Sequence, residues 1–427
     1  MSMVNRKLIF SWCLYDWANS AYSTVIGTFV FSVYFAHEIY GDPTGGSVVW
    51  GYTIGGAGLV VALFAPFAGA IADHGGYHKR WVGLATAMTV SASALLFFAE
   101  PDERFVIFSL ILVVIATVGF EFGTIFYNST LHIVAPKRQL GRISGWGWSL
   151  GYFGGLMCLF VALATLIKPD FPWFGFSKQN AENIRAIGLL VALWVGLFAI
   201  PFFIYMPVNK NVGAGLAKAV RAGLRQLSSA ARRMKSNRPM VLFLVASAIY
   251  RDGLATLFAI GGLYASDVHG MTIDQIMLFA IALNFSAGAG AFVFSWVDDY
   301  VGPQKTVLIG LAGLVVFGIA ILLMDSKAMF IAFSIGLGIF VGPVQAASRS
   351  LAAKLSVKDK EAEMFGFYAL SGKSVAFLGP FFYAASTDAF ESQRAGLVTI
   401  LLAWALGGLI LACVRPRTIN GGNVVSR

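Results

Sequence analysis

This sequence predicts an all-α integral membrane protein: twelve transmembrane helices in two pseudo-symmetric six-helix bundles. Three observations carry that reading. Hydrophobic residues make up 58% of the chain and charged residues only 12%, about half the charge of an average soluble domain, and mean hydropathy is +0.75. Twelve apolar runs can be counted, each near the length that crosses a bilayer. A basic stretch separates the sixth run from the seventh, and the six runs before it are echoed by the six after it.

The first six runs cover about 9–38, 48–72, 81–99, 105–131, 141–167 and 184–206. The other six cover about 240–265, 274–297, 305–324, 328–352, 364–387 and 393–414. Arg6 and Lys7 lead into an apolar stretch too long for the core of a cleavable signal, so the first helix is its own insertion signal. Lys and Arg then set orientation. Connections on the N-terminal side hold nearly all of them, including Arg6, Lys7, Lys79, Arg80, Lys137, Arg138, Arg142, Lys305, Lys354, Lys358 and Lys360. The opposite connections are diluted by Glu38, Asp42, Glu100, Asp102, Glu103 and Asp170. Both termini are therefore expected in the cytosol. Cys13, Cys158 and Cys413 lie far apart in apolar segments and read as buried packing residues, not a disulfide framework.

The division is 1–207 for the N-terminal bundle, 208–238 for the linker and 239–427 for the C-terminal bundle. Within the linker, Leu216, Val220, Leu224, Leu227, Ala231 and Met234 share an arc of about 80° on a helical wheel. Lys218, Arg221, Arg225, Arg232 and Lys235 take the far side. With no acidic residue present, this reads as an amphipathic helix lying on an anionic inner leaflet. The net charge of +10 is thus placed for a lipid surface and not for nucleic acid.

The repeat is visible in short patterns. Gly69, Asp73, Gly76 and Lys79, followed by Arg80, come after the second run. Asp299, Gly302 and Lys305 come after the eighth at the same spacing. Ser144-Gly145 with Gly151 parallels Phe365-Gly366 with Gly372. Duplicated six-helix halves suit a carrier that works by alternating access, with its site between the halves near the midplane. Asp73 and Asp299 have a gating role open to them: a carboxylate at one helix end can accept bonds from another helix's N-terminal amides and be released when that helix swings away.

Ionisable residues within the runs mark the candidate site. Asp16, Glu121, Arg251, Asp252, Arg349 and Lys373 cannot persist facing lipid at a few kcal/mol each, so they pair or line water. Helical spacing groups Tyr15, Asp16, Asn19, Ser20, Tyr22 and Ser23 on one side of the first helix, a face suited to a cavity. Thr117, Glu121, Thr124 and Asn128 form a stripe on the fourth. Gln345, Ser348 and Arg349 cluster towards the cytosolic end of the tenth, where Arg349 is either a site residue or a side chain snorkelling to the interface. An amino acid needs an anion for its ammonium and a cation for its carboxylate. Asp16 and Glu121 offer the first, with Asn19, Tyr15, Tyr22 and Asn128 beside them, and Arg251 and Lys373 offer the second. Asp252 is left to neutralise Lys373 or to carry a proton.

Other patterns exclude chemistry. The glycines around Gly145 and Gly336 lie in apolar runs with no strand before them, so helix packing explains them better than a nucleotide loop. The five histidines show no metal-ligand spacing, and no nucleophile–base–acid arrangement emerges. No enzyme activity, cofactor or metal is expected.

The Gly69/Asp73/Gly76/Lys79 pattern resembles the signature loop of the major facilitator superfamily, departing from it at Tyr77 and His78. More narrowly, Tyr15-Asp16-Trp17-Ala18-Asn19-Ser20 and Gly141-Arg142-Ile143-Ser144-Gly145 with Gly147-Trp148 resemble the vacuole-effluxer family, the autophagy-related branch. Gln345 with Ser348-Arg349-Ser350, and Phe365-Gly366-Phe367-Tyr368 with Gly372-Lys373, add the second half. The resemblance implies the major facilitator fold and a secondary transporter, and the lack of long inserted loops suits an inner-membrane member. The expectation is a monomeric carrier of a small zwitterion, most simply an amino acid, with protons as the candidate coupling ion. The alternatives are a permease for a nucleoside or sugar, or a receptor built on a carrier fold.

Overall fold

The computed structural model describes residues 5–75, 78–136, 138–207 and 237–414. Gly76 and the amphipathic stretch 208–236 lie outside the described residues. Among the described residues ten helices are each long and apolar enough to cross a membrane, and two further passes are built from pieces.

The first pass, α1, begins as Arg6–Ala21, where the Asn5 side chain accepts from the Leu8 amide at 3.2 Å. It then loosens into wider π turns over Tyr22–Phe29 and Phe35–Ile39, with Phe31–Tyr34 α-helical between them. Hydroxyls take part in that widened ladder: Thr28 Oγ1 donates to the Ser23 carbonyl five residues back at 2.9 Å, and Ser32 Oγ to the Thr28 carbonyl at 2.8 Å.

The next five passes are α2 Pro43–Gly75, α3 His78–Leu95, α4 Val106–Ser129, α5 Leu140–Ala162 and α6 Glu182–Tyr205. After the linker come α7 Arg238–His269, α8 Ile273–Val301, α9 Pro303–Leu323 and α10 Lys327–Leu355. The Gly302-Pro303 pair makes the α8–α9 turn: Gly302 has φ +89°, open to glycine, and proline is preset for a first helical position. The eleventh pass, α11, is broken into a near segment, Glu361–Val375, and a far segment, Leu378–Phe390. Pro380 has no N–H for the Ala376 carbonyl, which weakens the helix at the break. The last pass, α12, is Gln393–Ala412.

The face on which α1 begins is called near and the opposite face far. Within the N-terminal half α3 packs on α4, and α1 on α5 and α6; within the other half α7 packs on α12, and α10 on α8 and α9. Two seams join the halves, α2 with α11 and α5 with α8. Both depend on glycine. A Cβ on Gly69 would overlap the Ala362 carbonyl across the first seam, and one on Gly145 would overlap Ser295 across the second. Backbones this close leave no room for a side chain.

Candidate functional site

A dense polar cluster joins the two halves, built around Arg349 towards the near end of α10. Arg349 of α10 is 3% exposed, and its Nη1 donates to Asp16 Oδ2 of α1 at 2.7 Å and to Asn128 Oδ1 of α4 at 3.1 Å. Its Nε donates to Ser144 Oγ at 2.9 Å and its Nη2 to the Ser144 carbonyl at 2.5 Å. Trp12, Trp148 and Tyr127 surround the guanidinium, with ring centroids 4.8, 5.5 and 5.9 Å from Cζ. Burial of this kind rules out the snorkelling alternative. A charge so desolvated is tolerable because its donors are used and its partner is ionic.

A second ion pair crosses the halves in the same direction. Lys373 Nζ, at the end of the near segment of α11, lies 2.6 Å from Glu121 Oε1 of α4. Both side chains keep some exposure, 31% and 21%. Glu121 and Asn128 therefore reach into the other half. The remaining members of the α4 stripe turn back to α1, Thr117 bonding Tyr22 at 2.8 Å and Thr124 accepting from Asn19 at 3.2 Å. One turn before Lys373, Arg251 Nη1 donates to the Tyr368 carbonyl at 3.0 Å, its guanidinium 4.0 Å from that ring's centroid. Lys373 is thus bonded to Glu121 and not to Asp252. Asp252 is buried against Gly379, and its Oδ1 has no hydrogen-bond partner among the described residues.

The near face carries two matching contacts. Asp73, at the end of α2, accepts from the amides of Ala362 at 2.9 Å and Glu363 at 2.7 Å, in the first turn of α11. Asp299, at the end of α8, accepts from the Arg142 amide at 3.0 Å and pairs with Arg142 Nε at 3.2 Å, in the first turn of α5. Each carboxylate sits where orphan amides and the helix dipole favour negative charge. His78 Nε2 also meets Asp73 at 2.9 Å. His132 of the N-terminal half faces Glu361 of the other at 3.5 Å. Burial raises the Glu361 carboxyl above its ordinary range, and His132 offsets part of that shift. Lys79 Nζ donates to the Met206 carbonyl at 2.9 Å, a cation at the end of α6. Arg80 and Lys305 are exposed.

Above the Arg349 cluster, towards the far face, lies a cavity of about 470 Å³ between the halves. Ser20, Ser23, Thr24 and Thr28 of α1 form a hydroxyl wall opposite the apolar side chains of α7, α8 and α10. None of its lining side chains is Asp, Glu, Lys, Arg or His. Tyr152 lines it too, and its Oη donates to Gln345 Oε1 at 2.6 Å.

The polar face predicted for α1 divides three ways. Ser20 and Ser23 line the cavity, whereas Asp16 and Asn19 bond to other helices. Tyr15 and Tyr22 are buried inside the N-terminal half, with their hydroxyls on Thr86 and Thr117 at 2.8 Å, and form no aromatic wall for a ligand. A wheel gives the direction of a side chain but not what another helix places there. Cys413 is exposed, unlike the buried Cys13 and Cys158, because α12 has just ended. Trp12, Tyr127, Ser144 and Trp148 were not expected at the site. Ser144 and Trp148 stand in the segment that carries the family resemblance, and Trp12 and Tyr127 near the same ends of α1 and α4, but nothing in the sequence shows that the four converge on Arg349.

Comparison with known proteins agrees with this architecture. A family model described as "Vacuole effluxer Atg22 like" matches residues 135–417. The uncharacterized MFS-type transporter YxiO of Bacillus subtilis (strain 168) is 26% identical, over 96% of this chain and 95% of the relative. Autophagy-related protein 22 of Coccidioides immitis (strain RS) is 23% identical, over 85% of this chain and 72% of the relative. Among solved structures, the proton:xylose symporter XylE superposes with a TM-score of 0.71 at 12% identity, covering 96% of this chain and 95% of that one. A bacterial homologue of the iron transporter ferroportin, in an outward-facing state, gives 0.68 at 13% identity, covering 96% and 98%. Those two likenesses establish the fold, and the family match the lineage: this multi-pass membrane protein is a transporter of the major facilitator superfamily, not an enzyme, and belongs to its Atg22-like vacuole-effluxer family.

Proposed function

We propose that the protein carries a small zwitterion, most simply an amino acid, by alternating access between the two halves. The observation that carries the proposal is the pair of ion bonds across the halves, Asp16–Arg349 and Glu121–Lys373, each with its carboxylate in one half and its cation in the other. An amino acid presents the same two charges. Its ammonium can replace Lys373 at Glu121 while its carboxylate replaces Glu121 at Lys373, so charge stays balanced throughout. Arg251 of α7, which bonds the Tyr368 carbonyl on the same segment as Lys373, adds a second cation to the carboxylate side. The Glu121–Lys373 pair is the more exposed of the two and is the binding pair; Asp16–Arg349 holds the near side closed in the state described here.

The Asp73 and Asp299 contacts act as gates in this reading, since both tie one half to a helix of the other on the near face. That face is the cytosolic one by its excess of Lys and Arg, so the cavity belongs to an outward-facing state of a cell-membrane protein. Asp252, buried and partly unpartnered, carries the coupling proton.

A second reading is favoured by the cavity itself. Hydroxyls and Asn284 without any charged lining residue suit a neutral polar solute such as a sugar or nucleoside. Thermal-shift measurement of the purified protein against amino acids, nucleosides and sugars separates the two, because only a zwitterion exploits Glu121 and Lys373. In proteoliposomes, Lys373→Met should abolish transport of the stabilising amino acid without loss of folded protein. Wild-type transport by that variant would end the zwitterion reading.

A further inference from the structure

Asp252 is 7% exposed, and its Oδ1 has no hydrogen-bond partner among the described residues. An ionisable group in that condition inside a membrane protein needs a reason. Neither candidate cation serves it, since Arg251 is bonded to the Tyr368 carbonyl and Lys373 to Glu121. What the carboxylate does face is the break in α11.

The far segment of that helix opens at Leu378 and Gly379, whose amides have no partner within the helix, and Pro380 has no amide hydrogen at all. No side chain of its own caps this end. A Cβ built on Gly379 would lie 3.0 and 3.1 Å from the two carboxylate oxygens of Asp252 and would overlap Thr256 Oγ1. Glycine at 379 is therefore what lets the start of the far segment close onto α7 at Asp252. The two segments of α11 are held by different partners. The near segment is tied to the N-terminal half through Lys373–Glu121 and the Asp73 contacts, and the far segment is seated on α7.

We infer that Asp252 is a positioning residue for the far segment of α11: ionised, it holds the segment's N-terminus on α7, and protonated, it releases it. Removing the negative charge removes the attraction to the helix N-terminus. Tyr383 of this segment lines the cavity, so a proton taken at Asp252 moves a wall of that cavity. The inference rests on the reading of Asp252 as the proton-carrying residue and adds the step by which the proton acts.

Hydrogen exchange of the full-length protein in lipid nanodiscs, read by mass spectrometry on peptides from 378–390 and corrected for intrinsic rates, tests it. Acidification should speed exchange there several-fold in the wild type, with peptides from α12 unchanged. Asp252→Asn should be fast at every pH, and Asp252→Glu should keep the pH response. Equal exchange in wild type and Asp252→Asn, or a pH response that survives in Asp252→Asn, overturns the inference. If Asp252→Asn loses the response of transport to a pH gradient while exchange never depends on pH, the coupling role stands and the joint falls. If exchange follows pH as expected but transport ignores the gradient, the joint stands and the coupling role falls.

Discussion

Replacing Asp16 by Asn should open the near face, and the size of the effect follows from the contacts of Arg349. In the closed arrangement the guanidinium keeps Ser144, Asn128 and three aromatic rings but loses its only carboxylate, a bond of 2.7 Å. A hydrogen bond to a charged group contributes about 1.5–3 kcal/mol. Complete loss of a partner in a fully buried pair costs about 3–5 kcal/mol, and the lower range applies because Asp16 is 18% exposed. Once the halves part, Arg349 is hydrated and the carboxylate matters little, so nearly all of the loss falls on the closed state. The population should move towards near-side opening by roughly 10- to 150-fold. The reporter is a single cysteine at Ala346, whose carbonyl accepts from Ser144 Oγ across the halves at 2.7 Å, in a background lacking Cys13, Cys158 and Cys413. Its rate of modification by an impermeant maleimide, applied from the near side of oriented vesicles, should rise in that range. Arg349→Met should open the same face, and combining it with Asp16→Asn should add little, because both remove one bond. Folded Asp16→Asn protein with an unchanged labelling rate, or full additivity of the two changes, would refute the clamp.

Three further outcomes are expected. Asp73→Asn and Asp299→Asn each remove a charge from a helix N-terminus, about 1 kcal/mol apiece, so each should raise near-side labelling at Ala346 about fivefold; no change in the folded double variant would leave both loops as plain connections. Glu361 has its carboxyl raised by burial in the closed state, so closure binds protons; near-side labelling should rise as near-side pH increases through the carboxyl's raised range, and Glu361→Gln should flatten that slope, whereas a slope of opposite sign would refute the linkage. Cysteine at Gly41 should react only from outside and cysteine at Lys358 only from the cytosol, and reaction of both from one side would overturn the orientation.

The number of passes, their order and the two-fold repeat were legible in the sequence because they rest on local quantities. Apolar length decides whether a segment crosses the membrane without reference to any tertiary contact. The same holds for the list of buried charges: Asp16, Glu121, Arg251, Asp252, Arg349 and Lys373 stood out because charge in an apolar run is expensive wherever it lands. The partners did not follow. Asp16 and Arg349 lie 333 positions apart, and Glu121 and Lys373 lie 252 apart. No periodicity spans such distances, and only the docking of α1, α4, α10 and α11 could match one carboxylate to each cation. Tyr15 and Tyr22 show the converse, since a helical wheel placed them with Asp16 and only the packing of α3 and α4 took their hydroxyls. The break in α11 falls at Gly379-Pro380, inside a run read as one pass, and neither it nor its consequence was legible. That Asp252 lies against it depends on α7 approaching a glycine that leaves room, a fact of the folded backbone and not of either segment alone.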